Sequence, residues 1–280
     1  MGLESNMRLD AYVAEHWPEQ SRSTWKKLIE SGQVTVNGTV QTTAKSDVKE
    51  NDVVTVIEPI ATDHSQESLP VIYEDDDVIV INKPLGVLSH SKGALNDEFT
   101  VAEFVRPKTT YKSDTNRPGI IHRLDRATSG VMICAKNEDT AGYLSKQFSQ
   151  RTAKKQYTAV TSGVPVQDEA IIDLPIERNP KEPSTHRVGT GGKHAETYYK
   201  VIGRSAKHAL VILRPKTGRT HQLRVHLAYL NTPILGDPVY GREAADRMYL
   251  HAESLEITLP GGNRQTFTAP VPDSFKNQVV

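Results

Sequence analysis

The spacing of apolar positions divides the chain in two. In "MRLDAYVAEHW", from residue 7, Leu9, Tyr12, Val13 and Trp17 recur at helical intervals. "SRSTWKKLIESG" opens on candidate caps, Ser21 or Ser23, and stops at Gly32. Its Trp25, Leu28 and Ile29 share one helix face, and Arg22 and Lys26 share another. "VTVNGTV" runs into an Asn-Gly turn, which predicts a hairpin, and "VKENDVVTVIE" ends in a further strand. Residues 1–58 are therefore expected to fold as a small α/β module. "PIATDHSQESL", 59–69, is polar, bounded by proline and without a period, and reads as a linker.

From Pro70 the pattern changes to short strands. "DVIVINKP", "GVMICAK", "KQYTAV", "ETYYKVI", "ALVILRP" and "RMYLHAESLEITL" predict strands, whereas "NEDTAGYLSKQFSQ" and "GRTHQLRVHLAYL" predict helices. In the first of these helices Ala141, Leu144 and Phe148 lie on one side. Strands outnumber helices, so residues 70–280 are expected to form an α+β domain on a mixed, mostly antiparallel sheet.

Composition narrows the function. With 37% hydrophobic and 24% charged residues the chain is an ordinary globular protein, long enough for one large and one small domain. No apolar run approaches the roughly 18 residues that span a bilayer, and no signal-peptide pattern opens the chain. A cytoplasmic location with no membrane partner is expected. The single cysteine, Cys134, lies inside the apolar "VMICA", which excludes an internal disulfide framework and a cysteine metal cluster. Net charge is zero, but its distribution is uneven. Between Glu196 and Asp237 the sequence has basic residues and no acidic one, and Lys146, Arg151, Lys154 and Lys155 form a second such stretch. Stretches of one sign can converge on a phosphate-binding groove.

The candidate chemistry starts at "HRLDRATSG", where Asp125 stands between Arg123 and Arg126 at the lip of an apolar strand. Such a carboxylate is either part of a surface ion pair or a reactive group kept ionised by its neighbours. Ordinary templates fail around it. A glycosidase needs a second carboxylate across the bond, and Asp125 has no obvious acidic mate in sequence, although Asp237 or Asp114 could approach it in space. His221 and His226 are five residues apart, which on a helix turns their rings about 140° from one another, a poor arrangement for a shared zinc. No Walker loop or dinucleotide fingerprint is present. One carboxylate, one tyrosine (Tyr157 in "KKQYTAV") and abundant arginine remain. That set can act on an anionic polymer with neither metal nor cofactor.

Two resemblances sharpen this reading. "MRLDAYVAEH", "SRSTWKKLIESGQVTVNG" and "KENDVVTV" resemble the alpha-L RNA-binding module, the S-four type, which implies RNA contacts from the helix face of Arg22 and Lys26. Residues 1–58 hold six basic and nine acidic residues, so any favourable field is local to that face. "HRLDRATSGVMICAKN", "KKQYTAV", "LRPKTGRTHQLRVHLAYLNTPILGDPVYG" and "YLHAESLEI", preceded by "INKPLGVLSH", resemble the successive motifs of the RluA/RluD-type pseudouridine synthases.

That resemblance implies a cofactor-free isomerisation of uridine in RNA, on a base flipped out of its stack. It assigns Asp125 as the essential aspartate; whether it attacks the ribose, attacks the ring or removes a ribose proton stays open. Arg224 matches the arginine paired with the aspartate, and Tyr157 the active-site tyrosine, placed to stack on the base and relay the carbon-5 proton. Arg123 matches the arginine that fills the space left by the base. Arg126, Arg219, Lys154 and Lys155 are expected on phosphates. Leu235 is a candidate either for packing under the ring or for filling the core, and His122 reads as a structural hydrogen-bonding residue. Ala127 departs from the family, where many members carry an acid, and is expected to bear on the loop or on substrate choice. The module favours large-subunit ribosomal RNA as substrate over tRNA, with the protein acting as a monomer. A catalytically silent RNA-binding protein and a nucleoside hydrolase are the competing classes; the latter would need a cluster of metal-binding aspartates.

Overall fold

The computed structural model of the protein describes residues 6–57, 64, 66–91 and 98–280. These fall into two compact units, the first within Met1–Ser65 and Ser91–Glu98, the second within Gln66–His90 and Phe99–Val280. Most of the stretch expected as a linker, 59–69, lies outside the described residues. Leu69, its last residue, is buried in the core of the second unit with Ile79 and Ile81.

In the first unit β1 (Met7–Arg8) leads into α1 (Leu9–His16) and α2 (Arg22–Glu30), followed by β2 (Val34–Val36), β3 (Thr39–Gln41), β4 (Asp47–Val48) and β5 (Val54–Val56). The Ser21 hydroxyl caps α2 by accepting from the Thr24 amide at 3.2 Å. Asn37 and Gly38 both adopt left-handed backbone, as the tight turn between β2 and β3 requires. The apolar faces read from the sequence meet in one core of Leu9, Val13, Trp25, Leu28, Ile29 and Val34. The polar helix face is less free than its composition suggests. Arg22 is held by Asp10 at 2.9 Å, and Lys26 faces Glu30 at 3.7 Å.

The second unit contains β6 (Val71–Glu74), β7 (Val78–Lys83), α3 (Val101–Val105), β8 (Ser129–Ala135), α4 (Glu138–Ser149), β9 (Lys154–Ser162) and β10 (Glu169–Asp173). The short pair β11 (Ile176–Arg178) and β12 (His186–Val188) follows, then β13 (Glu196–Arg204), β14 (His208–Pro215), α5 (Gln222–Tyr229), β15 (Leu250–Thr258), β16 (Arg264–Thr268) and α6 (Asp273–Lys276). Nine strands form one sheet in the order β10-β13-β14-β9-β15-β8-β7-β6, with β16 also pairing to β15. Only β8 and β15 pair in parallel among these named strands. The architecture is the expected α+β class on a mixed, mostly antiparallel sheet.

Two boundaries differ from the sequence pattern. The helix expected from Gly218 starts at Gln222, because His221 takes a left-handed conformation (φ 56°) and ends helical propagation on its N-terminal side. The strand expected from Arg247 starts at Leu250. Strand β8 is buried along its whole length, which explains its unbroken apolar run. Gly130 within it lies so close to β15 that a Cβ there would stand 2.2 Å from the Ala252 carbonyl oxygen. That contact brings the Asp125 loop against the middle of the sheet.

Candidate active site

Asp125 sits in the loop before β8, and that loop is fixed through its neighbours on both sides. The Ser89 hydroxyl donates to the Leu124 carbonyl at 2.7 Å and accepts from its amide at 3.1 Å. On the other side the Gly86 amide donates to the Arg126 carbonyl at 3.0 Å. Lys83, with no exposed surface, donates through Nζ to the carbonyls of Pro84 (2.9 Å) and Val87 (2.7 Å). Burial pushes the Lys83 ammonium down to about 7, against the raising effect of Asp125. The strand-and-loop "INKPLGVLSH" thus clamps the segment that carries the carboxylate.

The cation beside Asp125 comes from elsewhere in the chain. Arg224 on α5 places Nη1 3.1 Å from Asp125 Oδ2. Its other two nitrogens are taken by Asp237, at 2.7 Å from Nε and 2.8 Å from Nη2. Asp237 is itself held by the amides of Val239 (2.8 Å) and Tyr240 (3.1 Å). Burial would raise the Asp237 carboxyl; Arg224 and the two amides outweigh it and hold it low. The ring of Tyr240 lies 5.1 Å under the guanidinium. His221 Nε2 stands 3.6 Å from Asp125 Oδ2, and its Nδ1 is 2.9 Å from the Tyr240 hydroxyl. Burial lowers the His221 imidazole despite Asp125.

These groups open on a cavity of about 440 Å³. Tyr157 lines it from β9, opposite a register shift in β15 between Ala252 and Ser254. Glu253 at this bulge accepts from Thr158 (2.6 Å) and Gln156 (3.2 Å), the residues on either side of Tyr157. Burial and the nearby Asp125 raise the Tyr157 hydroxyl, so it keeps its proton. Among the described residues, the cavity wall carries five cationic side chains, Arg123, Arg151, Lys155, Arg219 and Arg224, and Asp125 is its one acid. Burial pushes the Lys155 ammonium down to about 8; its Nζ donates to the Thr217 carbonyl at 3.3 Å. His122, pushed down to about 3 by burial and Lys155, accepts from the Ile133 amide at 3.1 Å and stacks on Phe148 at 4.6 Å. The expectation of a structural histidine fits that geometry.

The structure brings together Asp125, Tyr157, Arg224, Arg123, Arg219 and Lys155 in this wall, but not the other predicted residues. Arg126 is exposed and outside the wall. Lys154 alternates to the other side of β9 from Lys155 and pairs with Glu256 at 3.2 Å. Arg22 and Lys26 belong to the first unit. Leu235 is core filling: it is buried with Val160, Leu210, Tyr249 and Phe275, and Leu124, Leu223 and Leu250 supply the apolar cavity wall instead. Sequence reasoning also missed Lys83, His221, Tyr240 and the partnership of Asp237 with Arg224. All four lie inside the quoted motifs, so the signal was present but carried no geometry. Among the described residues Asp173, His194 and Glu196 bring possible metal ligands within 4.8 Å of one another. Asp173 already pairs with His194 at 3.0 Å and Glu196 with Lys216 at 3.1 Å, and none of the three lines the cavity.

Comparison with known proteins decides the family. Residues 77–229 match the model of the RNA pseudouridylate synthases. The chain belongs to that family. Residues 7–54 of this synthase match the S4 domain. It is 36% identical to the ribosomal large subunit pseudouridine synthase D of Vibrio cholerae serotype O1, over 96% of this chain and 89% of that protein. An uncharacterized RNA pseudouridine synthase of Bacillus subtilis is 37% identical, with coverage of 97% and 93%. Among solved structures, human RNA pseudouridylate synthase domain containing 1 aligns with a TM-score of 0.61 at 29% identity, covering 73% of this chain and 84% of that one. The protein is an RNA pseudouridine synthase, an isomerase that acts on RNA.

Proposed function

We propose that this synthase converts uridine to pseudouridine in large-subunit ribosomal RNA, and that Asp125 is the reacting group. The observation that carries the reading is the setting of Asp125: among the described residues it is the single acid in a cavity wall of five cations, 3.1 Å from Arg224. An anionic strand is drawn to such a wall, and the target base enters it only after leaving its stack, at a cost of a few kcal/mol. The isomerisation breaks the bond from ribose C1′ to uracil N1, turns the base and joins C1′ to C5; the proton on C5 is lost and N1 gains one. No electron or group is imported. Asp125 acts on the sugar or the ring while Arg224, fixed by Asp237, holds its carboxylate in place. Tyr157 supports the base and passes on the C5 proton.

Arg123, two residues before Asp125 and in the same cavity wall, takes the space vacated by the base. Arg219 and Lys155 meet the backbone of the everted strand, while Arg126 and Lys154 contribute only through their field outside the wall. The S4 domain, through the α2 face of Arg22 and Lys26, adds contacts to the RNA. The relatives named for the ribosomal large subunit, aligned over nearly the whole chain, support the choice of RNA. The described cavity wall comes from one chain, which supports a monomer, and a ribosomal RNA substrate supports a cytoplasmic location.

Pseudouridine mapping in RNA from cells lacking the protein tests this reading. Sites missing from large-subunit ribosomal RNA are the expected result. Losses confined to tRNA would overturn the substrate, and an unchanged map would overturn the reading.

A further inference from the structure

Helix α4 ends in an arginine where glycine is the usual residue. The Thr152 amide donates to the Gln147 carbonyl at 3.0 Å and the Arg151 amide to the Phe148 carbonyl at 3.3 Å. Those two bonds define a Schellman closure, in which the residue between them must be left-handed. Arg151 occupies that position with φ 63°. An L side chain is strained there, and glycine would fit without cost.

The fold itself does not explain the arginine. The turn is tied from outside, by Arg264 Nη2 donating to the Thr152 carbonyl at 2.9 Å. The Arg151 side chain is exposed, and no hydrogen bond or ion pair of it is found among the described residues. It does line the cavity that holds Asp125, as does Lys155 four positions on. A cation at a helix C-terminus gains something from the helix dipole, but that gain needs no place in the cavity wall.

We propose that Arg151 and Lys155 together form a phosphodiester subsite, which holds the backbone beside the reacting uridine. The guanidinium offers a planar pair of donors matched to phosphate oxygens, and the ammonium a second charge. The strain at residue 151 is then retained because the position aims an arginine at the substrate. This inference rests on the reading of the cavity as the site of uridine isomerisation.

The test compares the full-length wild type with Arg151→Gly and Arg151→Asn, the two neutral residues that tolerate the left-handed backbone. The substrate is RNA extracted from cells lacking the protein. Glycine is expected to keep or raise the melting temperature. Both variants are expected to raise KM about tenfold, to change kcat far less, and to flatten the salt dependence of kcat/KM by about one in log–log slope. Arg151→Lys should recover the slope. If both neutral variants match the wild type in KM and slope, Arg151 merely closes the helix and the subsite is wrong. A wild type that forms no pseudouridine in this RNA would instead overturn the underlying reading of the cavity.

Discussion

Arg224 meets Asp125 across 99 residues of chain, with the one guanidinium nitrogen that Asp237 leaves free. Removing Asp237 leaves a buried cation without its main partner. Asp237→Ala is therefore expected to lower unfolding stability by about 3 to 5 kcal/mol and to slow turnover, because Arg224 loses its orientation. Urea unfolding and a single-turnover rate check this together. Wild-type values for both would separate Asp237 from the site.

Tyr157 has a ring inside the cavity wall and a hydroxyl that holds its proton. Tyr157→Phe keeps the ring and removes the proton relay. kcat should fall by about a hundredfold or more, with KM little changed. A larger effect on KM than on kcat would restrict the tyrosine to stacking.

Lys155 loses its proton through about pH 8, the value to which burial lowers it. Its charged form is the one that binds phosphate, so KM for RNA should rise as pH passes from 7 to 9. Lys155→Arg stays charged throughout and should flatten that rise. Equal pH profiles for the two proteins would contradict the assignment.

Lys83 gives a stability signal of opposite sign to that of a paired cation. Folded, it titrates at about 7; an unburied lysine titrates at 10.5. Below pH 7 both states carry the proton and the cost of burial is present in full. Between 7 and 10.5 the unfolded chain binds the extra proton, so stability rises with pH. Urea midpoints at pH 7 and 8.5 should increase more for the wild type than for Lys83→Met. Cys134, raised to about 12 from 9.0, opposes this only above pH 9, outside that window. A slope unchanged by the substitution would mean that Lys83 does not titrate there.

The sequence carried the class of fold and the order of the motifs, because both are written in local period and in short fixed strings. The packed faces of Trp25, Leu28 and Ile29, and of Ala141 and Leu144, follow from spacing alone. The partner of Asp125 did not: only the family resemblance pointed to Arg224, the residue found there. Reading along the chain drew attention to Arg123 and Arg126, yet neighbouring side chains in a turn diverge, and the cation arrives from α5. Leu235 stayed open between cavity and core for the same reason: position in a motif does not say which of the two a leucine faces, and the fold buries it in the core. The left-handed turns at His221 and Arg151 have no glycine to announce them. Lys83 stands at the end of an apolar strand pattern, and only the fold shows it buried among carbonyls.

Asp125→Asn changes one atom of the side chain at the centre of the cavity. Purified wild type and variant, given RNA from cells lacking the protein, can be compared by mass-spectrometric counting of pseudouridine alongside filter binding. The wild type should form pseudouridine and the variant none, with RNA binding retained in both. A variant that isomerises uridine at near the wild-type rate would show that the carboxylate is not the reacting group.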